Sequence, residues 1–282
     1  EMAAAIGREA DARQYQTLQA NINRAFGQKY IQPGGVLSVD NQTAYVLALS
    51  VDLIPDEFLP QAQARLVALL EQNQGRMSTG FLGTKPLLPV LTQAGQHDLA
   101  VRLLQSREFP SWGYEIENGA TTIWERWNSY TKDKGFGNAA MNSFSHYAFG
   151  AVCQWMFQDL AGIDTLEPGF QHILIDPQTP APGTNPEHTP IHWVKASYES
   201  IRGPIQAHWK RTQETFTLDL TIPANTRATV VLPTDSVTGV QESGRALSEA
   251  SKDAVIEVAE QLPQRLKLRV ASGTYRFVVQ LD

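Results

Sequence analysis

Apolar residues in the first part of the chain recur every three to four positions, which is the period of an amphipathic helix. Gly, Pro and polar residues at the ends of these runs set the predicted helix limits. The predicted helices are Ala3 to Phe26, a segment capped by Asp40 that runs to Leu53, Leu59 to Gln72, Lys85 to Ala94, Asp98 to Gln105, and Asn142 to a stop at Gly162. His146 lies in the first turn of the predicted helix that begins at Asn142. Together these helices predict a helical layer.

Beyond Pro168 the period becomes two, which is typical of half-buried strands separated by Gly, Pro and Asn turns. The predicted strands are HILID, HWVKASYESI, PIQAHWKR, ETFTLDLTI, RATVVLP, AVIEVA, QRLKLRV and TYRFVVQL. No helical pattern separates them. We therefore expect a helical domain over residues 1–168 and an antiparallel β-sandwich over residues 169–282.

Charge and composition narrow the choice of partner. The formal net charge is -6 and the pI is near 5.6, and no Lys/Arg-rich run occurs, so neither nucleic acid nor an anionic membrane is expected as a partner. No apolar stretch reaches the ~20 residues of a membrane span. Cys153 is the one cysteine and sits in an apolar run, which predicts a small core residue and excludes an intrachain disulfide.

The aromatic residues concentrate between Phe109 and Phe157. This stretch holds twelve of the 25 Phe, Trp and Tyr residues, and its first part is punctuated by Gly without a helical stripe. Aromatic faces around a few polar groups are typical of a sugar pocket, although a dense aromatic cluster is more often simply core. Both interpretations stay open from composition alone.

Glu125 is the first candidate for acid/base chemistry because it lies between Trp124 and Trp127. The alternative is a surface carboxylate paired with Arg126. His146 lies among the aromatic residues of MNSFSHYAFG, at 141–150, and is either a site residue or a hydrogen-bonded core histidine.

Two more carboxylates, Glu115 and Glu117, lie in the same stretch. Either one is a possible second member of a catalytic pair, but we expect both to be solvated. The six His are scattered without metal-ligand spacing, and no phosphate-binding loop, dinucleotide fingerprint or Gly-x-Ser-x-Gly elbow is found, so neither a metal nor a cofactor is expected.

Several long segments, in the same order, are similar to the inverting α-L-rhamnosidases. They are QTAYVLALSVDLIP, STGFLGTKPLLPVL, FPSWGYEIENGATTIWERWNSY, MNSFSHYAFGAVCQWMFQDLAGI and TIPANT. The resemblance implies part of an (α/α)6 barrel that carries the active site, followed by a C-terminal β-sandwich. It also implies hydrolysis of rhamnose-containing glycosides without a cofactor.

By this resemblance Glu125 is the general base and His146 contacts the rhamnose. Trp124, Trp127 and Tyr130 are candidates to bind the sugar or to hold Glu125. An inverting hydrolase also needs a general acid, and in the family it lies in a segment upstream of those matched here. We therefore expect the chain to be a C-terminal portion with about half of the barrel helices, inactive alone. Its expected partner is the upstream half of the same enzyme, and a homo-oligomer is an open alternative.

Two other functions stay open. A helical-barrel hydrolase or lyase for uronic acids needs a cation for the substrate carboxylate, and Arg126 is the obvious one. A non-catalytic carbohydrate-binding or assembly module is the other, with Trp193 and Trp209 as a sugar platform, although their alternating strands favour core packing.

Overall fold

A computed structural model describes residues 1–181, 183, 190–251 and 255–281 of the chain. Parts of the Pro- and Thr-rich run at 176–190 and the first residue of the predicted strand AVIEVA lie outside these ranges. The chain divides into two units, Glu1–Gly150 and Ala151–Asp282. The first is helical and the second is rich in β-strands, which confirms the predicted order.

Seven of the nine α-helices in the described part of the chain lie in the first unit and two lie in the second. They are α1 Met2–Ala5, α2 Glu9–Tyr30, α3 Gln42–Ser50, α4 Leu59–Gln72, α5 Phe81–Gln93, α6 His97–Gln105, α7 Trp112–Glu117, α8 Val152–Trp155 and α9 Leu247–Ala250. Among the described residues, no helix has the length and apolar character needed to cross a bilayer. The limits of α4 equal the predicted ones, because Pro60 is tolerated in its first turn and Ala62, Leu66 and Leu70 supply a regular buried stripe.

The predicted cap of α3 is wrong by one residue. The side chain of Asn41, and not that of Asp40, accepts the hydrogen bond from the N–H of Ala44. Asp40 instead binds Arg65 of α4, whose Nε lies 2.9 Å from Oδ1. This ion pair ties the start of α3 to α4.

Helix α5 begins at Phe81, four residues before the predicted start at Lys85. The hydroxyl of Thr84 donates to the carbonyl of Gly80, 2.8 Å away, and closes the first turn. Gly83 packs closely on its surroundings, since a Cβ there would lie 3.0 Å from Thr79 and 3.2 Å from Thr43 of α3.

The predicted helix from Asn142 to Gly162 is wrong as a single element. Residues 142–146 are not helical, and a 3₁₀ turn at Tyr147–Ala151, α8 and a π turn at Met156–Leu160 follow one another. Tyr147 is 88% exposed, and Phe149 packs inside. Cys153, predicted as a core residue, is exposed.

The second unit holds two sheets. Their strands are β3 Ile163–Thr165, β4 His172–Ile175, β5 Trp193–Ser200, β6 Gly203–Arg211, β7 Thr215–Ile222, β8 Arg227–Leu232, β9 Val240–Glu242, β10 Arg245–Ala246, β11 Ile256–Leu262, β12 Arg265–Val270 and β13 Gly273–Gln280; β1 Tyr130–Thr131 and β2 Gly135–Phe136 form a small hairpin in the first unit. One sheet has the order β10-β9-β13-β7-β6-β5 and the other β11-β12-β8-β4-β3. Alternate residues of β7 are buried, as its period-two pattern predicts.

One strand pair departs from the antiparallel prediction. Strands β4 and β8 run parallel, with His172 opposite Arg227. The chain between them passes through three strands of the other sheet, so the direction of β8 is set by this return and not by a hairpin.

The division between the units lies before the predicted domain limit at residue 168. The turns Val152–Trp155 and Met156–Leu160 group with the sheets. One contact that ties them there is the hydrogen bond from the Trp209 indole to the carbonyl of Leu160, 2.7 Å away. The assignment of the two domains stays a prediction.

Candidate active site

Glu125 and His146 lie on two chain segments that are joined by backbone hydrogen bonds. The N–H of Glu125 donates to the carbonyl of Ser143 and the N–H of His146 donates to the carbonyl of Ile123, each at 2.9 Å. These bonds hold residues 142–146 away from helical geometry. His146 therefore precedes the 3₁₀ turn at Tyr147–Ala151 and does not lie in the first turn of a helix, as predicted.

The carboxylate of Glu125 keeps part of its surface in solvent, with 23% of the side chain exposed. Its oxygen Oε1 lies 3.9 Å from Nε of Arg126, an ion-pair distance that is too long for a hydrogen bond. Arg126 also donates to the carbonyl of Met141. No donor in the described part of the chain hydrogen-bonds to this carboxylate, so it can accept a hydrogen bond from a water molecule or a hydroxyl.

The imidazole of His146 is half-buried and oriented. The N–H of Ala148 donates to Nδ1 at 3.4 Å, which assigns the proton of the neutral ring to Nε2. The ring lies parallel to Tyr147, 5.7 Å between centroids, and 5.9 Å from the ring of Phe81. Its Nε2–H has no acceptor among the described residues and is available to a ligand.

Trp124 and Trp127, the residues on either side of Glu125, are buried. The indole of Trp127 stacks on Phe149 at 3.8 Å between centroids and donates to the carbonyl of Thr79 at 2.9 Å. Trp124 packs edge-to-face on Phe144, with centroids 5.4 Å apart. These contacts favour a role in holding Glu125, and contact with sugar stays a prediction.

Tyr130 is half-buried and lies 6.4 Å from Trp124 and 5.2 Å from Phe136, between ring centroids. The exposed rings nearby are those of Phe81, Phe136 and Tyr147. Phe81 comes from the start of α5, outside the aromatic stretch, and no local sequence signal singled it out. The ring contact with His146 is what brings it to the site.

Glu115 is buried, contrary to the prediction of a solvated carboxylate. Burial raises its pKa to about 7, although a hydrogen bond with the backbone of Trp124 opposes the rise. Its Oε1 has no hydrogen-bond partner among the described residues. Glu117 is solvated as predicted and pairs with Arg107 at 2.9 Å.

Two candidates in the second unit differ from one another. Trp209 is buried in the core, as the alternating strand favours, and Trp193 is 59% exposed. No group of three or more His, Cys, Asp and Glu suitable for a metal ion occurs within the described ranges.

Comparison with known proteins places both units in one family. Residues 1–160 match the model of the bacterial alpha-L-rhamnosidase 6 hairpin glycosidase domain, and residues 162–247 match that of the bacterial alpha-L-rhamnosidase C-terminal domain. An alpha-L-rhamnosidase of Streptomyces avermitilis is 40% identical over 278 residues, which is 99% of this chain and 25% of that protein. One from Formosa agariphila is 33% identical over 96% of this chain and 28% of its own length.

Solved structures give the same result. The Streptomyces avermitilis alpha-L-rhamnosidase in complex with L-rhamnose superposes with a TM-score of 0.87 at 39% identity, covering 99% of this chain and 25% of that one. An alpha-L-rhamnosidase from Dictyoglumus thermophilum gives 0.84 at 28% identity, with 99% and 30% covered. The chain thus spans about a quarter of the length of the curated relatives it matches.

Proposed function

Because the chain belongs to the bacterial α-L-rhamnosidase family, we propose that it is the C-terminal portion of an enzyme that hydrolyses α-L-rhamnosides with inversion of configuration. One observation carries the proposal: the Glu125 carboxylate is reachable and free of hydrogen-bond donors within the described chain, on a segment bonded to that of His146. In this proposal Glu125 is the general base.

In the proposed reaction a water molecule donates a hydrogen bond to Glu125 and attacks the anomeric carbon as the carboxylate takes its proton. A carboxylic acid on the other side of the sugar protonates the departing glycosidic oxygen, at about 6.5–9.5 Å from the base. We assign this acid to a part of the enzyme outside this chain.

The aromatic and imidazole groups bind the sugar in this proposal. The Nε2–H of His146 donates to a rhamnose hydroxyl, while the exposed rings of Phe81 and Tyr147 offer apolar faces to its C–H groups. In this proposal the buried rings of Trp124 and Trp127 hold the loop that carries Glu125, and Tyr130 packs on Trp124.

At the level of the fold, we propose that the helical unit is part of an (α/α)6 barrel and that the two sheets form a β-sandwich. Helix α2 supports the first proposal, because none of its residues is buried although Tyr15, Leu18 and Ile22 lie along it. Further barrel helices would cover this stripe.

A pair of matched variants tests the role of Glu125. We expect Glu125→Gln to lower kcat for an aryl α-L-rhamnoside about 100-fold or more, because the amide cannot accept the proton. The assay uses this chain together with the upstream part of the enzyme. Glu117→Gln, which removes a solvated carboxylate of the same stretch, should keep full activity. Equal activity of both variants would refute the assignment.

No observation favours the uronic-acid alternative. Arg126 is the candidate to bind the carboxylate of a uronic acid. Its guanidinium donates a hydrogen bond to the carbonyl of Met141 and lies near Glu125. Within the binding-module alternative, the burial of Trp209 removes it from a surface platform.

A further inference from the structure

A pocket of about 310 Å³ lies within the β-rich unit. The turns after Gly150 supply one wall, with Gln154, Phe157 and Gln158. Asp164 of β3, Phe170 and Tyr198 of β5 complete it. Its volume is near the lower end of the range of small-molecule sites, about 300–1,000 Å³.

Three aromatic rings form the apolar side of this pocket. The centroid of Tyr198 lies 6.3 Å from that of Phe157 and 5.1 Å from that of Phe170. Tyr198 is 40% exposed and Phe157 is 38% exposed, so their faces are accessible.

Unusual backbone geometry places two of these rings. Phe157 lies on the π turn, a rare element found often at functional sites. Phe170 has φ +56, a left-handed conformation that is uncommon for a bulky side chain. Backbone outliers of this kind cluster at binding sites, which supports a functional reason for the aromatic wall.

The polar side is a pre-arranged chain of hydrogen bonds. Gln154 Nε2 donates to Gln158 Oε1 at 2.8 Å, and Gln158 Nε2 donates to Asp164 Oδ1 at 3.0 Å. The N–H of Thr165 fixes the same Asp164 oxygen at 2.8 Å. The orientation of both amides is thereby set, and one Gln158 N–H and Asp164 Oδ2 have no partner among the described residues.

We propose that this pocket is a second carbohydrate site, which binds a neutral pyranose. Aromatic faces suit the C–H groups of a sugar ring, and the Gln158 amide and Asp164 carboxylate suit its hydroxyls. Lys, Arg and His are absent from the pocket lining within the described chain, and Asp164 repels anions, so a uronic acid is disfavoured. The site shares no residue with that of Glu125 and His146.

Cys153 gives this proposal a direct test, because it lines the pocket, is exposed, and is the single cysteine of the chain. The rate of its alkylation by iodoacetamide is measured by mass spectrometry while L-rhamnose, D-galactose or D-galacturonate is titrated. We expect at least one neutral sugar to slow alkylation at least threefold, and D-galacturonate to leave it unchanged.

Variants separate this site from the rest of the molecule. Tyr198→Ala should raise the sugar concentration for half-protection at least tenfold, while Tyr198→Phe, which keeps the ring, should not. Trp193→Ala, an exposed aromatic change on the same strand, and Glu125→Gln should both retain protection. Circular dichroism and the thermal midpoint establish that each variant is folded.

Three results would overturn the proposal: no protection by either neutral sugar, equal protection by D-galacturonate, or protection that persists in a folded Tyr198→Ala variant. None of them bears on hydrolysis by Glu125, because alkylation of Cys153 is read without turnover. Loss of turnover and loss of protection are therefore distinguishable.

Discussion

Individual residues of the candidate active site are held mainly by backbone contacts. Two hydrogen bonds between residues 123–125 and 143–146 align Glu125 with His146, and the buried indole of Trp127 anchors the same loop to Thr79. Their aromatic surroundings made Glu125 and His146 candidates but left a structural alternative for each, and their proposed roles come from the resemblance to the α-L-rhamnosidases. The sequence could not reveal the buried state of Glu115, because the spacing around that residue carries no period that separates an inward from an outward carboxylate.

His146 should matter for binding more than for protonation. His146→Ala removes the Nε2–H donor, so we expect kcat/KM for an aryl α-L-rhamnoside to fall about tenfold or more, mostly through KM. Steady-state kinetics of the complemented enzyme measure this. His192→Ala, which changes an exposed histidine of the other unit, is the control; a fall in kcat with unchanged KM would contradict a binding role.

Glu115 should make the stability of the chain depend on pH. Its pKa rises from 4.5 to about 7 on folding, so between these values the folded chain binds more protons than the unfolded chain. Stability therefore decreases as the pH rises from 4.5 to 7, by about 3 kcal/mol in total. Glu115→Gln should remove this decrease.

Urea unfolding of the chain at pH 5 and pH 8 measures the difference. Glu117→Gln, beside it in sequence but solvated, should keep the parent pH dependence. Asp159, whose pKa burial raises to about 6, adds a similar trend in both proteins and cancels in the comparison. An unchanged pH dependence in Glu115→Gln would show that Glu115 is not the source of the decrease.

Among the elements, those with long regular patterns were predictable. Helix α4 and strand β7 follow their periods closely because one face of each is continuously buried. The conformation of residues 142–162 was not predictable. Their apolar spacing fits a helix, but hydrogen bonds to a distant loop hold the first residues in another conformation. The parallel pairing of β4 with β8 likewise depends on where the intervening strands lie, which no local pattern records.

Close packing of α5 on α3 should make Gly83 sensitive. Gly83→Ala places a Cβ 3.0 Å from Thr79, the residue that accepts the Trp127 hydrogen bond, so we expect a loss of about 1–3 kcal/mol in the free energy of unfolding. Gly80→Ala, three residues earlier with nothing within 4 Å of its Cβ position, is the control. Urea denaturation measures both. Equal stabilities would show that the contact relaxes without cost.

The molecule as a whole presents a helical unit, a β-rich unit and an apolar stripe without cover. The order of the two was predictable from the change of period near residue 168. The element that packs on the apolar stripe of α2 was not predictable, because an amphipathic pattern identifies an apolar face without identifying its partner.

Helix α2 should therefore be needed for complementation. Ile22→Asp puts a charge into the exposed apolar stripe, so we expect it to weaken association with the upstream part of the enzyme at least tenfold. Analytical ultracentrifugation or the concentration dependence of activity measures this. Val51→Asp, at an exposed apolar residue outside α2, is the control, and unchanged association of Ile22→Asp would contradict the proposed cover.

Azide rescue of Glu125→Ala in the complemented enzyme tests most directly whether Glu125 is the base of an inverting reaction. Azide needs no base, so it should restore turnover of an aryl α-L-rhamnoside and yield a rhamnosyl azide of inverted configuration, identified by NMR. Undiminished hydrolysis by Glu125→Ala, or a glycosyl azide of retained configuration, would contradict the assignment of Glu125 as the base of an inverting reaction.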